Sequence, residues 1–183
     1  MGIKIAIIGK YHVGKSFLAK HFVLLGLKRL SLVSCIREHT VLSQNHQVWQ
    51  SCLDGNYHHI IEPIPMFHSQ YCNQALVNRV KEQSLDSGVI VEFPSFFDVC
   101  QVIKDICFDC VIAVDCSDGV HIGYIDTLEI SDTSKKALLN SGEEQEYYRS
   151  QATDIFHNTI SEDHVHWVAK QILQTYLLAS QVY

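Results

Sequence analysis

The sequence predicts an α/β protein whose parallel sheet is covered by helices on both faces. Apolar runs bounded by turn signals lie at residues 3–8, 30–33, 89–93 and 111–114, and a short one lies at 155–156. Helical patterns separate these runs, and several of the runs are apolar almost without interruption. Strands that alternate with helices and are buried on both sides are typical of a parallel sheet between two helical layers.

The first strand leads directly into a glycine-bearing loop. Residues 9–16 read GKYHVGKS, which matches the pattern G-x-x-x-x-G-K-[ST]. We call residues 9–16 the glycine loop. A strand before this pattern and an amphipathic helix after it indicate a loop whose backbone N–H groups cradle phosphate. The residues that we expect to bind the nucleotide are Gly9, Val13, Gly14, Lys15, Ser16 and Phe17.

Two side chains of the glycine loop have distinct expected roles. Lys15 is expected to reach the β- and γ-phosphates, and the Ser16 hydroxyl is expected to be the metal ligand for Mg²⁺. The pattern alone specifies a nucleotide phosphate and does not specify the reaction.

Helices are predicted from apolar residues at helical spacing. The first follows the loop, a second pattern covers residues 66–83, and a C-terminal helix begins after the cap-like Ser161. In the first helix the apolar face consists of Phe17, Leu18, His21, Phe22 and Leu25. The stretch 43–65 has the least regular pattern, and a small lobe is expected there.

Composition narrows the class of protein. The chain has 183 residues, a net charge of -6 and 47% hydrophobic residues, which suits one domain with a real core. The acidic balance argues against a nucleic-acid partner, and no apolar run has the length of a membrane span, so we expect a cytoplasmic protein with no membrane partner. Cys107 and Cys110 form an isolated C-x-x-C pair at a buried strand, and we expect packed, free thiols there.

The remaining motifs favour a small-molecule kinase. Neither N-K-x-D nor D-x-x-G, the GTPase motifs, occurs in the chain. The series formed by GKYHVGKS, IPMFHSQ, VIVEFPSFFD, FDCVIAVDCS and QATDIFHNTIS resembles the dephospho-CoA kinases. The resemblance runs nearly end to end, although Ser69 follows His68 where that family has proline.

The resemblance implies an enzyme that transfers the γ-phosphate of ATP, with Mg²⁺, to the ribose 3′-hydroxyl of dephospho-CoA. It implies one P-loop kinase-like domain over residues 1–183, with an acceptor lobe at about 33–65 and a lid at about 118–150. It assigns Arg37, His68 and Pro94 to the acceptor and Asn158 to the nucleotide.

The sequence departs from that family at the groups that would promote transfer. Its acceptor carboxylates fall here on Ser31 and Val33, and the first acidic residue in the chain is Glu38. The lid segment 119–131 contains no arginine.

Two alternatives follow from these departures. In an active kinase the catalytic residues would be Lys15, Asp98 and Arg149, with Glu38 as a substitute for Asp98 and with Lys135 or Lys136 adding lid charge. In a catalytically degenerate relative the nucleotide site would serve binding or regulation. For Arg149 a surface ion pair with Glu146 is an equally open interpretation.

Overall fold

The computed structural model describes residues 2–10, 12–31, 70–93, 100–129, 131–140, 145–159 and 161–180. Within these ranges the strands are β1 (Lys4–Ile8), β2 (Lys28–Ser31), β3 (Val89–Glu92), β4 (Cys110–Asp115) and β5 (Asp154–His157). The helices there are α1 (Lys15–Leu24), α2 (Gln70–Gln83), α3 (Cys100–Ile106), α4 (Asp118–Asp126), α5 (Asp132–Asn140), α6 (Gln145–Gln151) and α7 (Glu162–Ser180).

The five strands form one parallel sheet in the order β2-β3-β1-β4-β5. β1 lies in the centre, with Ile5 paired to Ile90 of β3 and to Cys110 of β4. Because all strands run the same way, their carboxyl ends share one edge of the sheet, which we call the carboxyl edge. The glycine loop follows β1 at this edge, where ligands bind in open α/β sheets.

Each face of the sheet has its own apolar core. Ile5 and Ile7 point to one face, where α1 and α7 cover them, and the alternate residues Ala6 and Ile8 point to the other face. On that second face the covering residues come from α2, α3 and α6, including the fully buried Tyr148. The two-residue period of a strand explains the division, because successive side chains alternate between faces.

The structure confirms the predicted fold class. β3 and β4 flank β1 in a parallel sheet, and all three strands are buried, as their apolar runs predicted. The strand predicted at 30–33 instead begins at Lys28. Lys28 and Arg29 are exposed on the outermost strand of the described sheet, so a criterion based on apolar residues does not detect them.

The two cysteines of the C-x-x-C pair differ in environment. Both are free, and Cys110 is buried as expected. The expectation of a packed thiol is wrong for Cys107, which is exposed because the chain turns there with a φ of 53°. Among the described helices, none is long and apolar enough to cross a membrane.

Candidate functional site

The glycine loop is held closely against its neighbours. Gly9 has a φ of 144°, and a Cβ at this position would lie 2.5 Å from the Val114 carbonyl oxygen. Gly14 has a φ of 102°, and a Cβ there would lie 2.1 Å from the Asn158 amide nitrogen. Both the left-handed backbone and the lack of space require glycine at these two positions.

Lys15 is buried inside the loop, where it is 8% exposed. Its ammonium donates to the Gly9 carbonyl at 2.9 Å and to the Lys10 carbonyl at 2.5 Å. Burial lowers the pKa of Lys15 to about 8, while the nearby Glu92 carboxylate acts in the opposite direction. The loop therefore holds a lysine whose charged form is disfavoured by burial.

Ser16, the first-turn serine of α1, contacts a carboxylate from a neighbouring strand. Its hydroxyl donates to Glu92 Oε1 at 2.5 Å, and Glu92 Oε2 accepts from the guanidinium of Arg29. Glu92 is the last residue of β3 and is the register partner of Ser31 on β2. The Glu92 carboxylate thus lies beside Ser31, one of the two positions at which the dephospho-CoA kinases carry an acceptor carboxylate.

Asn158 ties the end of β5 to the glycine loop. Its amide donates to the Val13 carbonyl at 3.0 Å, and its backbone N–H donates to the Asp115 carbonyl at 2.7 Å. Asn158 is 4% exposed. This residue therefore fixes the loop relative to the end of β4.

A second ion-pair cluster lies at the end of β4. Arg149 of α6 donates to Asp115 Oδ2, and it also lies 3.5 Å from Glu146. His157 Nδ1 lies 3.6 Å from the same Asp115 oxygen. The hydrogen bond and charge of Asp115 raise the pKa of Arg149, so this side chain is cationic at every physiological pH.

The structure brings together one part of the predicted site. Gly9, Val13, Gly14, Lys15 and Asn158 meet around the loop, and Ser16 lies beside them at the start of α1. Phe17 is half-buried against His21, with ring centroids 5.1 Å apart, and so packs on α1.

The remaining predicted site residues are not part of the cluster around the loop. Arg149 reaches the carboxyl edge. It pairs with Asp115 as well as with the predicted partner Glu146, and Asp115 is the closer of the two. Arg37, His68, Pro94 and Asp98 lie outside the described residues, as do Glu38 and Val33.

Sequence reasoning missed Glu92 and Asp115. Both are acidic residues that end an otherwise apolar strand, in VIVE and CVIAVD. In a parallel sheet a residue that ends a strand lies at the carboxyl edge, so the charge of these two residues could have marked them as site candidates. Their partners could not be predicted in this way, because Ser16 and Glu92, for example, are 76 residues apart in the chain.

The described residues do not contain a cluster of three or more histidine, cysteine, aspartate or glutamate side chains able to hold a metal ion. The oxygen atoms of Ser16 and Glu92 are nevertheless of the kind that Mg²⁺ prefers when a substrate phosphate supplies further ligands.

No protein-family model matches the sequence, and no curated protein matches it either. Solved structures do match. TT1252 from Thermus thermophilus is 16% identical, with a TM-score of 0.62 over 95% of this chain and 97% of that one. Shikimate kinase from Bacteroides thetaiotaomicron is 14% identical, with a TM-score of 0.61 over 94% and 98%.

Dephospho-CoA kinase from Campylobacter jejuni is also similar. It is 17% identical, with a TM-score of 0.50 over 94% of this chain and 96% of that one. At these identities the likeness concerns the fold. The chain therefore has the α/β fold of the P-loop small-molecule kinases.

Proposed function

We propose that this protein is an ATP-dependent small-molecule kinase, and that its acceptor is the ribose 3′-hydroxyl of dephospho-CoA. The observation that carries the ATP site is the buried Lys15 ammonium beside the Ser16–Glu92 pair at the carboxyl edge. The acceptor rests on the sequence resemblance to the dephospho-CoA kinases. Burial disfavours the charged form of Lys15, and the phosphates of ATP in the glycine loop would favour it.

Each group of the site has a role in this proposal. Backbone N–H groups of the loop and the Lys15 ammonium would bind the phosphates of ATP. Ser16 and Glu92 would hold Mg²⁺, which supplies charge neutralisation when it is bound. Asn158 would keep the loop in its binding conformation through the Val13 carbonyl.

Phosphoryl transfer also requires a positively charged side chain near the γ-phosphate and a group that orients the acceptor hydroxyl. Arg149 is the cation that we assign to the transferred group, because it lies at the carboxyl edge. Asp98, with Glu38 as the alternative, would orient the acceptor hydroxyl, and Arg37, His68 and Pro94 would contact the acceptor. The lid would comprise about residues 118–150 and the acceptor lobe about residues 33–65 of a single domain.

One observation favours the degenerate alternative. Arg29 already pairs with Glu92, so a cation from the protein lies where a metal ion would otherwise neutralise this carboxylate. In a binding module of this kind, ATP would bind with little dependence on Mg²⁺ and without transfer.

A coupled ADP-release assay tests the proposal. Wild-type protein would be supplied with Mg²⁺ and ATP plus dephospho-CoA, shikimate or no acceptor, next to Lys15→Ala and the exposed control Lys20→Ala. Turnover only with dephospho-CoA, lost in Lys15→Ala, supports the full proposal.

Other outcomes separate the alternatives. Turnover with shikimate instead would support a kinase function but contradict dephospho-CoA as the acceptor. ATP binding without turnover on either acceptor selects the binding module. A folded wild type that binds no ATP would contradict both functions.

A further inference from the structure

The end of β4 lies next to the glycine loop. Ile8 of β1 pairs with Ala113 of β4, so the next residues along the two strands bring Lys10 and Asp115 to the same level. The close approach of Gly9 to the Val114 carbonyl agrees with this continuation of the register. Adjacent strands are separated by about 4.8 Å, which places Asp115 one strand away from the start of the loop.

The Asp115 carboxylate is fixed in place. Its side chain is only 11% exposed. Oδ1 accepts from the Cys116 backbone N–H at 2.8 Å, and Oδ2 accepts from the Arg149 guanidinium. The Asp115 carbonyl also accepts from Asn158, so main chain and side chain are both engaged.

The helix that carries Arg149 is attached to the same strand end. Tyr148 is buried in the core, and the Gln145 amide donates to the Val114 carbonyl at 3.3 Å. Arg149 has a second acidic partner, Glu146, which is 77% exposed and lies 3.5 Å away. Exposed pairs of this kind contribute little, so Asp115 is the partner that determines where the guanidinium lies.

Arg149 retains hydrogen-bonding capacity in this arrangement. A guanidinium has five N–H donors, and Asp115 takes one of them. Nε is buried and has no acceptor among the described residues. The side chain as a whole is 37% exposed, so N–H groups other than the buried Nε remain accessible to an anion at the carboxyl edge.

We infer that Asp115 is a positioning residue, which holds the Arg149 guanidinium beside the glycine loop for contact with the γ-phosphate of ATP. This inference rests on the proposed function. Asp115 does not itself touch the nucleotide, and its effect passes through Arg149. His157, at 3.6 Å from Asp115, is a further cation on the same carboxylate when it is protonated.

The test uses the full chain with Asp115→Asn and the matched control Glu146→Gln, since each removes one negative partner of Arg149. We expect Asp115→Asn to lower kcat by about 10- to 100-fold, the effect of misplacing a group by about 1 Å. The affinity for ATP should fall while that for ADP, which lacks the γ-phosphate, is retained. Glu146→Gln should change neither quantity by more than about twofold.

A double-mutant cycle identifies the route of the effect. In an Arg149→Ala background, Asp115→Asn should reduce kcat and ATP affinity by less than about a further twofold, because the group that Asp115 holds is gone. An equal reduction in both backgrounds would overturn the inference. A lower Tm with unchanged kcat and unchanged ATP-to-ADP affinity ratio would also overturn it, because the ion pair would then be structural.

The two proposals can fail separately. If the wild type shows no turnover, the proposed kinase function is wrong, and the ratio of ATP affinity to ADP affinity then tests the role of Asp115. If that ratio is the same in wild type and Asp115→Asn, the positioning role is wrong. A wild type that turns over normally beside an equally active Asp115→Asn removes the inference alone.

Discussion

Replacing Lys15 by methionine should stabilise the nucleotide-free protein while abolishing nucleotide binding. Burial lowers the pKa of Lys15 from 10.5 to about 8. At 1.36 kcal/mol per pH unit, this corresponds to about 3 kcal/mol of unfavourable free energy for holding the charged form at pH 7. Methionine has a similar length and no charge, so it does not incur this cost.

The gain is reduced by two lost hydrogen bonds. Lys15 donates to the carbonyls of Gly9 and Lys10, and a typical hydrogen bond contributes about 1 kcal/mol. We therefore expect a net stabilisation of about 1–2 kcal/mol. In a domain of this size each kcal/mol raises Tm by about 2–4 °C, so Tm should rise by roughly 2–8 °C.

The pH dependence has a definite sign. Below pH 8 the lysine is charged in both the folded and the unfolded protein, and the full cost opposes folding. As the pH rises from about 8 to 10.5, the unfolded chain binds more protons than the folded one, so wild-type stability increases relative to Lys15→Met. The difference between the two proteins should shrink by about 2 kcal/mol between pH 7 and pH 9.5.

Thermal unfolding followed by circular dichroism, without nucleotide, measures this difference. Lys20→Met is the matched control, since Lys20 is on the same helix and its side chain is 59% exposed. Its Tm should stay within about 2 °C of wild type at both pH values. A Lys15→Met protein that melts at or below the wild-type temperature at pH 7 would refute the reasoning, as would a difference that persists at pH 9.5.

Three further predictions concern the loop and its neighbours. Glu92→Gln should weaken Mg–ATP binding in calorimetry by about 10- to 100-fold, whereas the exposed Glu82→Gln should not; equal affinities would remove Glu92 from the site. Gly14→Ala should lower stability in thermal melts by about 1–3 kcal/mol, and its cost should be smaller but not zero in an Asn158→Ala background, because the clash is relieved there and the positive φ remains; an equal cost in both backgrounds, or none in the second, would contradict this. If transfer is slow for want of an acceptor carboxylate, Val33→Asp should raise kcat by about 10²-fold or more, and a wild type that already reaches about 1–100 s⁻¹ would show that other groups suffice.

The sheet could be predicted from the sequence because its signals are local. Ile5, Ile7 and Ile112 lie in apolar runs long enough to mark strands buried on both faces, and glycines at 9 and 14 mark the loop that follows β1. The start of β2 was predicted wrongly because the strand begins with Lys28 and Arg29. Both are exposed on an outer strand, so they do not show the run of apolar residues that marks a buried strand.

The candidate site could be predicted only in part, because its polar contacts join distant segments. The loop pattern identified Lys15 and Ser16, and the resemblance pointed to Asn158. Glu92 reaches Ser16, and Asp115 reaches Arg149 from 34 residues away, only because parallel strands bring their carboxyl ends to one edge. Such pairs depend on strand order, which local residue patterns do not encode.

Proton uptake on binding of Mg–ATP tests the central claim most directly. In the free protein at pH 8.5, a Lys15 pKa of about 8 leaves the side chain mostly neutral. Phosphate oxygens would restore its charge, so binding should take up roughly three quarters of a proton, measured from calorimetric heats in two buffers of different ionisation enthalpy. Binding with that uptake in wild type, and no binding in Lys15→Met, is the predicted result. Binding without proton uptake, or equal binding by Lys15→Met, would contradict a nucleotide site built around this lysine.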